Sequence, residues 1–126
     1  MDTRIASPVK RLLDQEVLDC DGNHLGEMTD MVVHLPTGRI AYAVLSFGGT
    51  FMGWKNKLFA VPWEILSIEA PGTGHEGHGD RRFVLSASRE QLEKAPGFDR
   101  DNWPDVEEFG WVEPVYAYYE IRPFWL

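Results

Sequence analysis

The stretch Asp19 to Phe47, DCDGNHLGEMTDMVVHLPTGRIAYAVLSF, decides the fold. Near its start, Asp21-Gly22-Asn23 supplies residues that tolerate the positive φ of a tight hairpin. Further on, Pro36-Thr37-Gly38 presets one φ with proline and accepts the left-handed position with glycine. Between these turns a strand begins near Leu25. Its apolar residues Met28, Met31, Val33 and Leu35 keep a two-residue period only after one three-residue step, which predicts a β-bulge around Thr29 and Asp30. The run from Arg39 to Phe47 puts Ile40, Tyr42 and Val44 on one face and Ala41, Ala43, Leu45 and Phe47 on the other. A strand that is apolar on both faces is covered on both, either by the wall of a closed barrel plus another element or by a second subunit.

Working outward, Leu13 to Cys20, Leu58 to Val61, Ser67 to Ala70 and Arg82 to Ser86 read as further short strands, spaced by glycine and proline as in small β-domains. PWEIL, residues 62 to 66, reads as one tight turn. Ser88-Arg89-Glu90-Gln91 has the form of a capping box and predicts a short helix over Arg89 to Lys94, ended by Pro96 and Gly97. In the tail, Tyr116, Tyr118 and Glu120 alternate with Ala117, Tyr119 and Ile121, a strand pattern. The glycine-rich segment PGTGHEGHG, Pro71 to Gly79, predicts a mobile loop.

A chain of 126 residues with 44% apolar and 25% charged residues fits one globular core. The apolar run Ile40 to Phe47 falls far short of the roughly 20 residues a spanning helix needs. The N-terminus, MDTRIASPVKRLL, lacks a secretory apolar stretch. A single Cys20 cannot form an internal disulfide. These features predict a cytoplasmic protein without a membrane role. A formal charge of −8 and a pI near 4.9 oppose a phosphate backbone, which excludes nucleic-acid binding as the main activity.

Three ordered blocks resemble the PRC-barrel domain over Leu12 to Asp105: the stretch from Asp19 through Gly49, the AVPWEIL segment at Ala60 to Leu66, and ASREQLEKAPGFDRDNWPD at Ala87 to Asp105. The resemblance implies a small β-barrel of about six strands. Such domains occur in the cytoplasmic part of a photosynthetic reaction-centre subunit, in ribosome-maturation factors, and as free-standing, often stress-related proteins. The APGFD and WPD elements are most similar to the free-standing group, for which the resemblance implies no agreed biochemical activity. The segment Val106 to Leu126 lies outside the family pattern.

Chemistry-bearing residues are sparse. His75, Glu76, His78 and Asp80 could attract a divalent metal, or they are a polar loop with no second donor pair at matching spacing. Cys20 between Asp19 and Asp21 is a poor nucleophile. The carboxylates Asp14, Glu16, Asp19, Asp21, Glu27 and Asp30 read as a solvated edge, since acid–base chemistry needs two converging in a cleft. GGTFMGWKNK lacks the G-K-[ST] ending of a phosphate loop. Its Phe51, Met52 and Trp54 instead suggest a contact surface, the alternative being that they fold back over a barrel mouth. Trp103 with Phe98 is expected to pin the segment after the helix. Tail aromatics including Tyr118, Phe124 and Trp125 suggest packing on a neighbouring subunit rather than on the chain's own barrel.

The expectation is therefore a mostly β protein: a small PRC-type barrel of about six strands, one short helix after the last core strand, and a C-terminal extension. It divides into an arm (1–11), a domain (12–105) and the extension (106–126). Functionally it reads as a non-enzymatic interaction module without catalytic residues or cofactors, self-associating as a homo-oligomer through Phe51, Met52, Trp54, Tyr118, Phe124 and Trp125. The alternatives are a ribosome-assembly protein that binds a ribosomal protein, and a metal sensor using His75 and His78.

Overall fold

Asp19 builds the first hairpin. Its carboxylate is almost fully buried and accepts the backbone N–H of Asp21 (2.9 Å) and of Asn23 (2.8 Å), together with the Asn23 side-chain amide (3.2 Å). Gly22 takes the left-handed conformation, φ +86°, that the turn requires. Burial pushes the Asp19 carboxyl up, but the donors from Asn23, Asp21 and Gly22 outweigh it and hold the group below its ordinary value. Asp19 is thus a structural acceptor, not one of the solvated edge carboxylates the sequence suggested.

The computed structural model describes residues 6–47, 57–69 and 82–125. Strands β1 (Glu16–Leu18), β2 (His24–His34), β3 (Arg39–Phe47), β4 (Lys57–Pro62), β5 (Leu66–Glu69), β6 (Arg82–Leu85) and β7 (Phe98–Asp99) form one sheet in the order β5-β6-β1-β2-β3-β4-β7. All ladders are antiparallel except that between β1 and β6. Short helices α1 (Val9–Leu12), α2 (Arg89–Glu93) and α3 (Glu113–Tyr118) accompany it, with 3-10 turns at Trp63–Ile65 and Phe109–Val112. The architecture is the mostly β fold expected, enlarged by a two-residue strand and by α1 and α3.

Local chemistry accounts for the elements. The β2–β3 register shifts between Met28 and Asp30, so the bulge read from the apolar phase break is present. Gly26 lies against the backbone of Ser46 and Phe47 in β3. A Cβ there would sit 1.8 Å from the Ser46 carbonyl oxygen, leaving glycine as the residue that fits. Ser88 caps α2 by accepting the Gln91 N–H at 3.0 Å, as the capping box predicts.

Ala41 through Leu45 are fully buried, so both faces of β3 are covered. On one face Phe47 packs against Phe59 (ring centroids 4.9 Å apart), and Gly97 lies against the Phe59 ring. On the other, Tyr42 meets Trp111 edge-on at 5.5 Å and Phe109 at 6.2 Å. The Tyr116 hydroxyl donates to the Ala41 carbonyl. The cover is the protomer's own C-terminal segment, which corrects two expectations. The tail begins in helix α3 rather than as a strand, and it packs on its own core rather than on a neighbour. The physical reason is a helical stripe: Val112, Val115, Tyr116 and Tyr119 fall at i, i+3, i+4 and i+7 and all are buried. Among the described residues no helix is long and apolar enough to cross a membrane.

Candidate interaction site

The bulge re-aims the second half of β2 on its way into the β2–β3 hairpin. Its tip closes on His34, whose carbonyl accepts the N–H of Gly38 (2.8 Å) and of Thr37 (3.3 Å), with Gly38 at φ +75°. The His34 ring Nδ1 lies 2.8 Å from the Thr37 hydroxyl. Leu35 stands 87% exposed at this tip and Val33 is 41% exposed below it, although both are large aliphatic side chains. A tip made only to turn the chain has no need of Leu35.

The C-terminal segment is clasped to the turn end of the hairpin by aromatic contacts. The His34 ring faces Phe109 at 5.6 Å, Phe124 at 5.3 Å and Trp125 at 6.2 Å. The Arg39 guanidinium lies 3.9 Å over the Phe124 ring, a cation–π contact. Trp125 also packs edge-on to Tyr116 at 4.9 Å. Just before the clasp, Asp105 shapes a turn by accepting the N–H of Glu107 on its side chain (3.1 Å) and that of Glu108 on its carbonyl (3.0 Å). That turn directs Glu107 and Glu108 into solvent.

A cleft of about 660 Å³ opens between these two features, with residues 30–36 on one wall and residues 106–109 on the other. Its lining is apolar through Met31, Val33, Leu35, Val106 and Phe109, and acidic through Asp30, Glu107 and Glu108. Among the described residues no Lys or Arg contributes. Behind the Phe109 wall, burial drives the Tyr42 hydroxyl far above its ordinary pKa; the Trp111 N–H opposes this weakly and the Asp30 charge adds to it. The Trp111 N–H approaches Tyr42 without reaching hydrogen-bond geometry. The cleft can receive side chains and peptide backbone, with a preference for positive charge.

The structure distributes the sequence candidates as follows. Tyr118, Phe124 and Trp125 are half-buried against the protomer's own core, Tyr118 donating its hydroxyl to the Gln91 carbonyl. As a free docking surface they are corrected: two of them make the clasp beside the cleft. Phe98 and Trp103 meet edge-on at 5.2 Å, and Phe98 also touches Trp111 at 5.7 Å, so the post-helix segment is tied to the tail. Glu16 pairs with His24 at 2.8 Å on the surface, and Cys20 is exposed. Among the described residues no three His, Cys, Asp or Glu side chains are grouped to hold a metal ion. Phe51, Met52 and Trp54, the 71–79 loop, and His75 and His78 lie outside the described residues. Sequence reasoning missed Val33 and Leu35 as surface residues; the one signal was an aliphatic side chain placed inside a turn motif.

The sequence profile of the PRC-barrel domain matches residues 6–89, 84 of the 126 residues. The chain belongs to the PRC-barrel family. PRC-barrel domains are typically non-catalytic modules, and the site here is made of apolar and acidic side chains. In this PRC-barrel protein the family match ends at α2, whereas the cleft takes one wall from residues 106–109, beyond it. No curated protein matches the chain.

Proposed function

We propose that this PRC-barrel protein is a non-enzymatic interaction module of the cytoplasm whose contact surface is the β2–β3 hairpin tip and the acidic cleft beside it. The observation that carries the reading is Leu35, 87% exposed next to a cleft with apolar and acidic walls. Exposed aliphatic side chains grouped around a concave surface mark contact sites on otherwise polar proteins. Self-association belongs to the same reading, with Phe51, Met52 and Trp54 as the surface it would use. The β3 face is not available to it, because the tail already covers that strand.

A photo-crosslinking amino acid at Leu35 tests the proposal in cells, with one at exposed Lys94 as control. Adducts formed at Leu35 alone support it. Absence of any adduct, together with light scattering that gives the protomer mass at tens of micromolar, removes it. The acidic cleft also favours a ribosome-assembly role through a basic ribosomal protein. Failure to co-sediment with small ribosomal subunits at low salt removes that second reading.

A further inference from the structure

The outer edge of β2 is paired along only half its length. β1 covers it from His24 to Glu27, and the last ladder bonds are Met28 N–H to the Gln15 carbonyl (2.9 Å) and Asp14 N–H to the Met28 carbonyl (2.7 Å). At Asp14 the backbone takes φ +67°, a left-handed kink that turns the preceding chain away. From Asp30 to His34, β2 is laddered to β3 on one side, and among the described residues no strand lies on the other. The Met31 N–H donates to the Asp30 carboxylate at 2.8 Å, so at the bulge a side chain, not a neighbouring strand, supplies the acceptor. The cleft runs beside this half-strand, since residues 30–34 form much of one wall.

An open strand edge is a template for another strand unless it is blocked. Here residues 106–109 stand across a cleft of about 660 Å³ from it. Five residues at about 3.4 Å each give an edge near 17 Å, the length of an ordinary short strand. We infer that the Asp30–His34 edge of β2 accepts an extended segment of a partner protein as an added strand, and that this segment alternates basic and apolar side chains. The inference rests on the interaction-module reading and specifies its mode. Charge selects the occupant. Asp30, Glu107 and Glu108 line the cleft with no Lys or Arg among the described residues, and the whole chain carries −8, so a second copy meeting edge to edge would oppose acid with acid. Lys or Arg on one face of the incoming strand answers those acids, while its other face meets Val33 and Phe109.

The test is titration of the full chain with dye-labelled acetyl-Lys-Val-Arg-Val-Lys-Val-amide, read by anisotropy and by backbone amide exchange. Saturable binding with slowed exchange within residues 30–34 is expected. Glu107→Lys with Glu108→Lys, both on exposed positions, should weaken binding about tenfold or more, and added salt should weaken the wild type. A peptide of the same charge with alternate amides N-methylated should bind far less well. Equal binding of the methylated peptide overturns strand addition, as does protection confined to residues outside β2. Affinity raised about tenfold by Arg4→Glu would mean that the chain's own N-terminal arm is the occupant, which overturns the partner assignment. No binding, alongside Leu35 adducts in cells or a dimer in solution, overturns this mode while leaving the interaction module standing. No binding with neither of those overturns both.

Discussion

Replacing Tyr116 by alanine should remove the support under β3. The side chain is fully buried, its ring packs edge-on to Trp125 at 4.9 Å, and its hydroxyl donates to the Ala41 carbonyl across 75 residues of sequence. Deleting a buried aromatic side chain costs about 3–5 kcal/mol, most of it from lost transfer energy and the cavity left behind. Loss of the hydrogen bond adds about 1 kcal/mol. At about 3–5 °C per kcal/mol for a domain of this size, Tm should fall by roughly 15 °C or more. Tyr116→Phe isolates the hydrogen bond and should cost about 1 kcal/mol. Tyr119→Phe is the control: that hydroxyl is buried with no partner among the described residues, so its removal should be neutral or stabilising. Urea and thermal unfolding followed by tryptophan fluorescence, at several protein concentrations, measures all three. A Tyr116→Ala cost below about 1 kcal/mol would refute intramolecular cover of β3.

Three other outcomes follow from the geometry. Gly26→Ala drives a Cβ into the Ser46 carbonyl and the Phe47 Cα, both backbone, so the β2–β3 ladder must part; the expected loss is about 3 kcal/mol, measured by chemical denaturation. Asp19 is held below its ordinary value in the fold, so its contribution is present above the unfolded pKa, about 4, and disappears as pH falls through the lower folded value. Asp19→Asn should therefore show a shallower acid limb in stability against pH. Burial raises the pKa of Tyr42, Tyr116 and Tyr119 in the fold. Their contribution is complete below the unfolded pKa near 10 and is lost as pH climbs above it, so the alkaline limb should steepen from there, and a stability that stays flat to pH 12 would contradict the burial.

The meander from β1 to β3 could be read from the sequence because its instructions are local. Asp19, Gly22 and Asn23 make one turn, Pro36 to Gly38 the next, and the three-residue step from Met28 to Met31 marks the bulge. The tail misled because tyrosines favour strands and alternated over a few residues. The four-residue stripe Val112, Val115, Tyr116 and Tyr119, with Pro114 in the first helical turn, held the better signal, but six residues of helix depend on what they pack against. The cleft was illegible for a different reason. Its walls lie some 70 residues apart in sequence, and neither has a motif that announces the other. Asp30 read as one of several solvated acids, and the fold sets it in the same cleft as Glu107.

Because the lid over Tyr42 is made long after β3, the strand must wait for it. While a ribosome is still adding residues 48 to 108, the hairpin of β2 and β3 can already form, yet the Tyr42 face is bare until Phe109 through Trp125 emerge. Nascent chains of this protein thus pass through a stage with an apolar strand face open to chaperones or to one another, and a message that terminates early yields a product fixed at that stage.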